Sequence, residues 1–136
     1  MTRLPFYGCA IILRSDGKEV HGLEAIKIAQ KTVEVACDKQ ATDIILLDVR
    51  DIVSFADYFV ICSGESERQI SAIYDDIQHS LKNESILPRH REGTVESGWL
   101  LLDYGDVVVH IFAPAERQYY RLDELWDQAK AVVRIQ

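Results

Sequence analysis

Two aspartates in the segment GWLLLDYGDVVVHIF, residues 98–112, have the spacing most suggestive of metal chemistry. Asp103 and Asp106 flank Tyr104–Gly105, so their carboxylates could face one another across a β-hairpin. Metal-dependent nucleotidyl transfer needs a Gly-Ser turn and close carboxylates that hold divalent cations, and Gly64-Glu65-Ser66 is a faint version of that turn. Aspartate is, however, common in turns because it forms local hydrogen bonds. We therefore predict neither a metal nor another cofactor here.

The other reactive side chains form no arrangement that indicates catalysis. Neither a P-loop nor a G-x-G-x-x-G motif occurs in the chain. The three cysteines, Cys9, Cys37 and Cys62, are widely spaced and lack the pattern of a zinc site or a disulfide framework. Cys37 and Cys62 fall in apolar patterns that suit buried thiols. Reduced cysteines favour a cytoplasmic protein, and nothing in the sequence requires an enzyme.

The segment 98–112 predicts a β-hairpin with two different faces. If Tyr104–Gly105 is a two-residue turn, Leu102 pairs with Val107 and Trp99 pairs with His110. Side chains alternate between the faces of a strand. The apolar face, expected in the core, carries Leu100, Leu102, Val107, Val109 and Ile111. The mixed face carries Trp99, Leu101, Asp103, Asp106, Val108 and His110, with Tyr104 at the tip.

The mixed face has two interpretations, and the strand pairing leaves both open. An aromatic anchor with apolar and acidic neighbours is typical of a protein-binding patch, and Asp103 with Asp106 would suit a basic partner. Alternatively, a helix covers this face and His110 is an interior histidine, because sheets in α/β folds are often covered on both sides.

Composition and charge narrow the class of partner. A chain of 136 residues with 48% hydrophobic and 27% charged residues fits one globular domain. Acidic residues outnumber Lys and Arg by 22 to 15, which gives a net charge of -7. Nucleic-acid binding needs clustered Lys and Arg, so we do not expect it as the main mode. The apolar run at 4–13 is shorter than the roughly 20 residues of a membrane span, so no membrane partner is expected.

Apolar periodicity predicts a helix from Leu23 to Cys37, followed by buried strands at 44–47 and 58–62. Ser66 and Gln69 have the spacing of a capping box, and they precede a helix with an apolar stripe formed by Ile70, Ile73, Tyr74, Ile77 and Leu81. Residues 88–98 are predicted to form a polar connector before the hairpin.

Pro114 suits the first turn of a final helix, whose stripe is Leu122, Leu125, Trp126, Ala129 and Val133. The order of elements predicts a single α/β domain with a mixed β-sheet packed with helices. That domain spans residues 23–136, and residues 1–22 form a weakly structured extension or an additional strand. Because Val20 can be encoded by an alternative start codon, we hypothesise that translation can start near it.

Several motifs together resemble those of the ribosomal silencing factor (Iojap) family. The most specific are W-x-x-x-D-Y-G-D-V-V-V-H-I-F at 99–112 and R-x-x-Y-x-L-x-x-L-W at 117–126. D-Y-F-V-I-C-S-G at 57–64 and Glu92-Gly93 extend the similarity. The resemblance covers about residues 23 to 126.

This resemblance implies a non-enzymatic function and a fold like that of nucleotidyltransferases without the catalytic carboxylates. Members of the family bind ribosomal protein fourteen of the large subunit, block joining of the small subunit, and lower translation when nutrients are short. The implied contacts are Trp99, Asp103, Tyr104, Asp106 and His110, to which the hairpin pattern adds Leu101; Glu92 and Arg117 either contact the partner or organise the site. The alternatives are a nucleotide-binding or nucleotidyltransferase-like enzyme and a homodimeric scaffold.

Overall fold

A computed structural model describes residues 19–122 and 129–135, with the backbone alone for 19–24. The helices in these ranges are α1 (Glu19–Asp38), α2 (Glu67–Lys82) and α3 (Pro114–Tyr120). The strands are β1 (Thr42–Asp48), β2 (Tyr58–Ser63), β3 (His90–Thr94), β4 (Trp99–Asp103), β5 (Val107–Phe112) and β6 (Lys130–Ile135). No helix in the described part of the chain combines the length and apolar character needed to cross a membrane.

The six strands form one sheet in the order β3-β4-β5-β2-β1-β6. β2 pairs with β5 in parallel, and every other neighbouring pair is antiparallel. The predicted α/β domain with a mixed sheet is therefore confirmed. β2 lies near the centre and all six of its residues are buried, as expected for a continuous apolar strand covered on both faces.

Helices α1 and α2 pack against one face of the sheet. The predicted stripe of α2 is buried through Ile70, Ile73, Ile77 and Leu81, and it meets sheet residues that include Val60, Leu102 and Val109. At the start of α2, Ser66 Oγ accepts a hydrogen bond from the backbone N–H of Gln69 at 3.2 Å. In a capping box the Gln69 side chain would accept a hydrogen bond from the backbone N–H of Ser66. Here it accepts from the backbone N–H of Glu65, one residue earlier.

The other face of the sheet carries a separate apolar layer. Its buried members are Ile45, Leu47, Val49, Ala56, Phe59, Ile61, Val108, Phe112 and Leu122, and Val53, Trp99, Leu101 and Ala129 are partly buried against them. Part of this cover comes from the chain between β1 and β2, through Val49, Val53 and Ala56. Trp99 and Leu101 thus lie on the face opposite α1 and α2.

The hairpin of β4 and β5 differs from the prediction in register. Trp99 pairs with Phe112, and Leu101 pairs with His110. The backbone N–H of Tyr104 donates to the carbonyl of Val107 at 2.8 Å, which places Gly105 and Asp106 at the centre of the turn. The expectation that Tyr104 lies at an exposed tip is wrong, because its ring is buried in the core on the α1 and α2 side.

Two further predictions of secondary structure are wrong. The polar connector at 88–98 contains strand β3, all of whose residues are exposed. The final helix does not extend to Val133, because residues 130–135 form strand β6 against β1; Leu125 and Trp126 lie outside the described residues. Helix α1 begins at Glu19, four residues before Leu23, and residues 1–18 also lie outside the described part.

Candidate protein-binding groove

A groove of about 500 Å³ opens on the sheet face opposite α1 and α2. Its lining residues are Phe55, His90, Glu92, Gly93, Ser97, Trp99, Leu101, Asp103, Val108 and Tyr120. Side chains of β4 and β5 contribute Trp99, Leu101 and Val108, while Phe55 comes from the β1–β2 connection and Tyr120 from the end of α3. The groove is therefore assembled from segments that are distant in the sequence.

Trp99 is the centre of an aromatic cluster, which we define as Trp99, His110, Phe112 and Tyr120. The centroid of its ring lies 5.0 Å from that of Phe112 and 4.5 Å from that of Tyr120. Phe112 is fully buried, Trp99 is half-buried, and Tyr120 is exposed. Trp99 therefore contacts a buried ring, Phe112, and an exposed ring, Tyr120.

His110 lies beneath the groove with only 6% of its surface exposed. Trp99 Nε1 donates a hydrogen bond to His110 Nδ1 over 3.2 Å, and the ring of Phe59 packs edge-on against the imidazole at 5.3 Å between centroids. Burial lowers the pKa of His110 to about 4. The imidazole is therefore neutral near pH 7, and because Nδ1 accepts, its proton resides on Nε2.

Exposed aromatic rings flank the opening of the groove. Phe55 is 64% exposed and Tyr120 is 42% exposed. Neither was singled out from the sequence as a binding residue. Phe55 lies in a loop, VSFAD, where one large apolar side chain among small and polar ones was the available sign, and Tyr120 belongs to the R-x-x-Y motif. Large aromatic side chains beside a partly buried tryptophan are typical of a protein-binding surface.

Acidic side chains lie at the rim formed by β3 and β4. The exposed Glu92 carboxylate pairs with the imidazole Nε2 of His90. Asp103 Oδ1 accepts from the backbone N–H of Gly105 at 2.8 Å, which is the local turn interaction expected of it.

Asp106 is in the turn and does not line the groove; its carbonyl oxygen accepts from the backbone N–H of Asp57 at 2.7 Å. Across residues 19–122 and 129–135, no three His, Cys, Asp or Glu side chains are grouped as a metal site.

Arg117 does not line the groove. Its Nη1 donates to Ser63 Oγ at 2.8 Å, so it ties α3 to the end of β2. The adjacent Cys62 is fully buried, and burial raises the pKa of its thiol to about 12. This thiol is consequently protonated and packed in the core, as the apolar pattern around it predicts.

The structure brings together four of the residues proposed from the sequence. Trp99, Leu101, Asp103 and Glu92 line the groove, and His110 supports it from below. The remaining three, Tyr104, Asp106 and Arg117, do not line it. The structure places His110 in the interior, as the second interpretation of the mixed face expects, and leaves Trp99 accessible from the groove; that this face binds a protein stays a prediction.

The fold and the groove define a single-domain α/β protein whose mixed sheet carries helices α1 and α2 on one face and an aromatic groove on the other. The chain belongs to the ribosomal silencing factor family: the family described as "Ribosomal silencing factor during starvation" matches residues 23–136.

Relatives in several organisms support this assignment. The chain is 45% identical over 100 residues to ribosomal silencing factor RsfS of Bacillus subtilis, which covers 73% of this chain and 85% of the relative. It is 33% identical over 97 residues to mitochondrial assembly of ribosomal large subunit protein 1 of Mus musculus, covering 69% of this chain and 42% of that protein. A crystal structure of a Chromobacterium violaceum protein superposes with a TM-score of 0.72 at 34% identity, covering 76% of this chain and 86% of the other.

Proposed function

We propose that this protein represses translation by binding the large ribosomal subunit through ribosomal protein fourteen and blocking, by steric occlusion, the joining of the small subunit. Membership of the ribosomal silencing factor family supports the regulatory class. The name of the mouse relative, which refers to assembly of the ribosomal large subunit, supports the choice of subunit. Nutrient limitation would be the condition for repression and the cytoplasm the compartment.

The observation that carries the proposal is the groove with exposed aromatic side chains around Trp99. Phe55 and Tyr120 are large exposed rings. Tyr120 packs against the half-buried indole, 4.5 Å away between centroids, and Phe55 lines the same groove. A surface of this kind gains free energy when a partner removes it from water. Leu101 and Val108 extend this apolar lining between the rings, so a protein partner with an apolar contact region suits the groove.

Charge favours a basic partner for the same groove. The chain carries a net charge of -7, and Glu92 and Asp103 lie on the rim. Ribosomal proteins that contact RNA need basic surfaces, so complementary fields would accelerate encounter with such a protein. Occlusion then requires only that the bound protein occupy the joining surface. The proposed mechanism includes no chemical step and no cofactor, and hence no enzymatic activity.

Subunit reassociation on a sucrose gradient, with and without the purified protein, tests this proposal. We expect the wild-type chain to co-sediment with the large subunit and to reduce the fraction of joined ribosomes. Phe55→Ala should weaken both effects about tenfold, equivalent to about 1.4 kcal/mol of binding free energy. Leu87→Ala is the matched control, because Leu87 is 62% exposed but does not line the groove.

Trp99→Ala should lose about 2 kcal/mol or more of binding free energy if Trp99 is a central anchor. Trp99 also stacks on Phe112 and donates a hydrogen bond to His110. The melting temperature of Trp99→Ala must therefore be measured as well, to separate a loss of binding from a loss of stability. Joined ribosomes that are unaffected by a saturating amount of the wild-type protein would contradict the proposal. If Phe55→Ala and Leu87→Ala weakened binding to the large subunit equally, the groove would not be the contact surface.

The groove could instead join two copies of the chain. Sedimentation equilibrium across a range of protein concentrations distinguishes this case. If Phe55→Ala abolished a dimer and left binding to the large subunit unchanged, the groove would be a homodimer surface and its proposed role in ribosome binding would be wrong.

A further inference from the structure

The hydrogen bond from Trp99 to His110 joins the accessible part of the groove to a buried polar group. His110 is enclosed by the sheet and by neighbouring aromatic rings. The centroid of its ring lies 5.3 Å from that of Phe59 and 6.3 Å from that of Phe112. Its Nδ1 accepts the indole proton, while Nε2 is buried and has no hydrogen-bond partner among the described residues. Half of the imidazole's hydrogen-bonding capacity is thus used for Trp99, and the other half is unsatisfied.

This arrangement is not the one that would maximise stability. A buried N–H without an acceptor costs about 1–3 kcal/mol in folding free energy. An apolar side chain of similar volume would fill the same space between aromatic rings without that cost. The polar group at this position therefore needs an explanation other than packing, and its one hydrogen bond is to Trp99.

We propose that His110 is a positioning residue for the groove, whose Nδ1 fixes the orientation of the Trp99 indole and thereby the surface offered to the partner. This inference rests on the proposed function. Stacking against Phe112 limits the tilt of the indole but does not determine which of its edges faces inward. An acceptor at one point below the ring does, because only Nε1 of the indole can donate to it.

A fixed indole should also raise the affinity of the groove for its partner. Fixing a side chain before binding reduces the conformational entropy lost when the partner docks. An indole without its acceptor would sample other rotamers, and its Nε1–H would lose a partner in a half-buried site. Loss of the His110 acceptor should therefore lower affinity without any loss of contact residues.

Two substitutions separate positioning from packing. His110→Leu removes the acceptor together with the buried Nε2–H. His110→Asn keeps an acceptor, because Oδ1 of asparagine is attached to Cγ as Nδ1 is in histidine, but leaves a smaller side chain. We expect His110→Leu to bind the large subunit at least about fivefold more weakly with an unchanged or higher melting temperature. We expect His110→Asn to bind within about twofold of wild type with a lower melting temperature.

His110→Leu is expected to lose affinity but not stability, and His110→Asn to lose stability but not affinity. A purely structural role of His110 cannot produce this pattern. Wild-type affinity in His110→Leu would overturn the inference, and so would affinity losses that follow the melting temperatures in both variants. Failure of the wild-type chain itself to bind the subunit is a different result, because it would contradict the proposed function.

The hydrogen bond can also be measured without the ribosome. In ¹H–¹⁵N spectra the indole N–H of Trp99 should resonate downfield in the wild type and in His110→Asn, and move upfield in His110→Leu. Trp126→Phe assigns the two indole signals of the chain, which contains two tryptophans. An indole signal that is the same in His110→Leu and in the wild type would also overturn the inference.

Discussion

Arg117 and Ser63, 54 residues apart in the chain, are joined by a hydrogen bond of 2.8 Å from Nη1 to Oγ. Ser63 ends β2 in the centre of the sheet and is 3% exposed, whereas Arg117 is in the short helix α3. α3 ends at Tyr120, so the bond joins β2 to the helix that carries a ring flanking the groove. Arg117 therefore contacts the strand that supports the sheet and does not line the groove; that it organises the site, the second of the two roles expected for it, stays a prediction.

Ser63→Ala should lower the free energy of unfolding by about 1–2 kcal/mol, because the charged Arg117 loses an acceptor in a partly buried site. Urea denaturation of the two proteins measures the change. Ser54→Ala is the control, since Ser54 is exposed and substitutions at exposed positions usually change stability by less than about 0.5 kcal/mol. Equal stabilities of Ser63→Ala and wild type would show that the bond contributes nothing to holding α3.

Gly93→Ala should destabilise the edge of the groove strongly. Gly93 has φ +87°, and a Cβ there would lie 2.0 Å from the carbonyl oxygen of Trp99, within the β3–β4 pair. Backbone strain and this clash together should cost about 2 kcal/mol or more. Gly105→Ala is the matched variant: its φ is +92°, but the nearest atom to a Cβ is the flexible guanidinium end of Arg89 at 3.0 Å.

We expect Gly105→Ala to cost about 1 kcal/mol, which is the price of the positive φ alone. Thermal or urea unfolding of the two variants gives the comparison directly. If both lost the same stability, the contact between Gly93 and the Trp99 carbonyl would not be the cause.

The central part of the fold could be predicted from the sequence because its hydrophobic pattern is unambiguous. The run Ile44–Leu47, the strand at 58–62 and the stripe of α2 all lie where their periodicity indicates. The predicted faces of the hairpin agree with the structure for Leu100 and Trp99, although the predicted register is wrong. Trp99 pairs two residues further along β5 than expected, and a shift of two leaves every side chain on its face.

The edges of the sheet could not be predicted, because their pairing is decided by contacts distant in the sequence. β3 has no apolar alternation, since all five of its residues are exposed at the edge. β6 shares apolar residues with a helical stripe, and its pairing with β1 determines its conformation. Both strands are edges, where local propensity carries little information about pairing.

The candidate site could be predicted only where its residues belong to one strand. Alternation along β4 identifies Trp99, Leu101 and Asp103 as residues of one face, and all three line the groove. Phe55 and Tyr120 come from a loop and a short helix, so no periodicity relates them to Trp99. The sequence predicts Tyr104 at the tip because it predicts a turn one residue too early. The structure places Tyr104 directly after β4, with its ring in the core.

If the chain binds ribosomal protein fourteen as proposed, its affinity for the purified protein should fall as the salt concentration rises. The chain carries a net charge of -7, and interactions between exposed charges are largely screened beyond about 3 Å at 1 M ionic strength, compared with about 10 Å at 0.1 M. We expect the association rate to fall roughly tenfold over this range, while the dissociation rate, which depends on the aromatic contacts, changes less. Surface plasmon resonance measures both. An association rate independent of salt would contradict a basic partner.

Stability should decrease as the pH falls from about 6.5 towards 4, through His110. Burial lowers the pKa of this imidazole to about 4 in the folded protein, whereas in the unfolded chain the pKa is near 6.5. Between these values the unfolded state binds a proton that the folded state excludes, so the free energy of unfolding rises with pH. From pH 7.5 to pH 5 the loss attributable to His110 should be about 2 kcal/mol.

His110→Leu isolates this contribution, because the variant retains every other titrating group. Urea denaturation of both proteins at pH 7.5 and pH 5 should show that the stability advantage of His110→Leu over wild type grows by about 2 kcal/mol at the lower pH. Parallel pH dependence of the two proteins would mean that His110 accepts a proton as readily in the folded state as in the unfolded chain. The imidazole would then not be held neutral beneath Trp99, and its Nδ1 would not be a permanent acceptor.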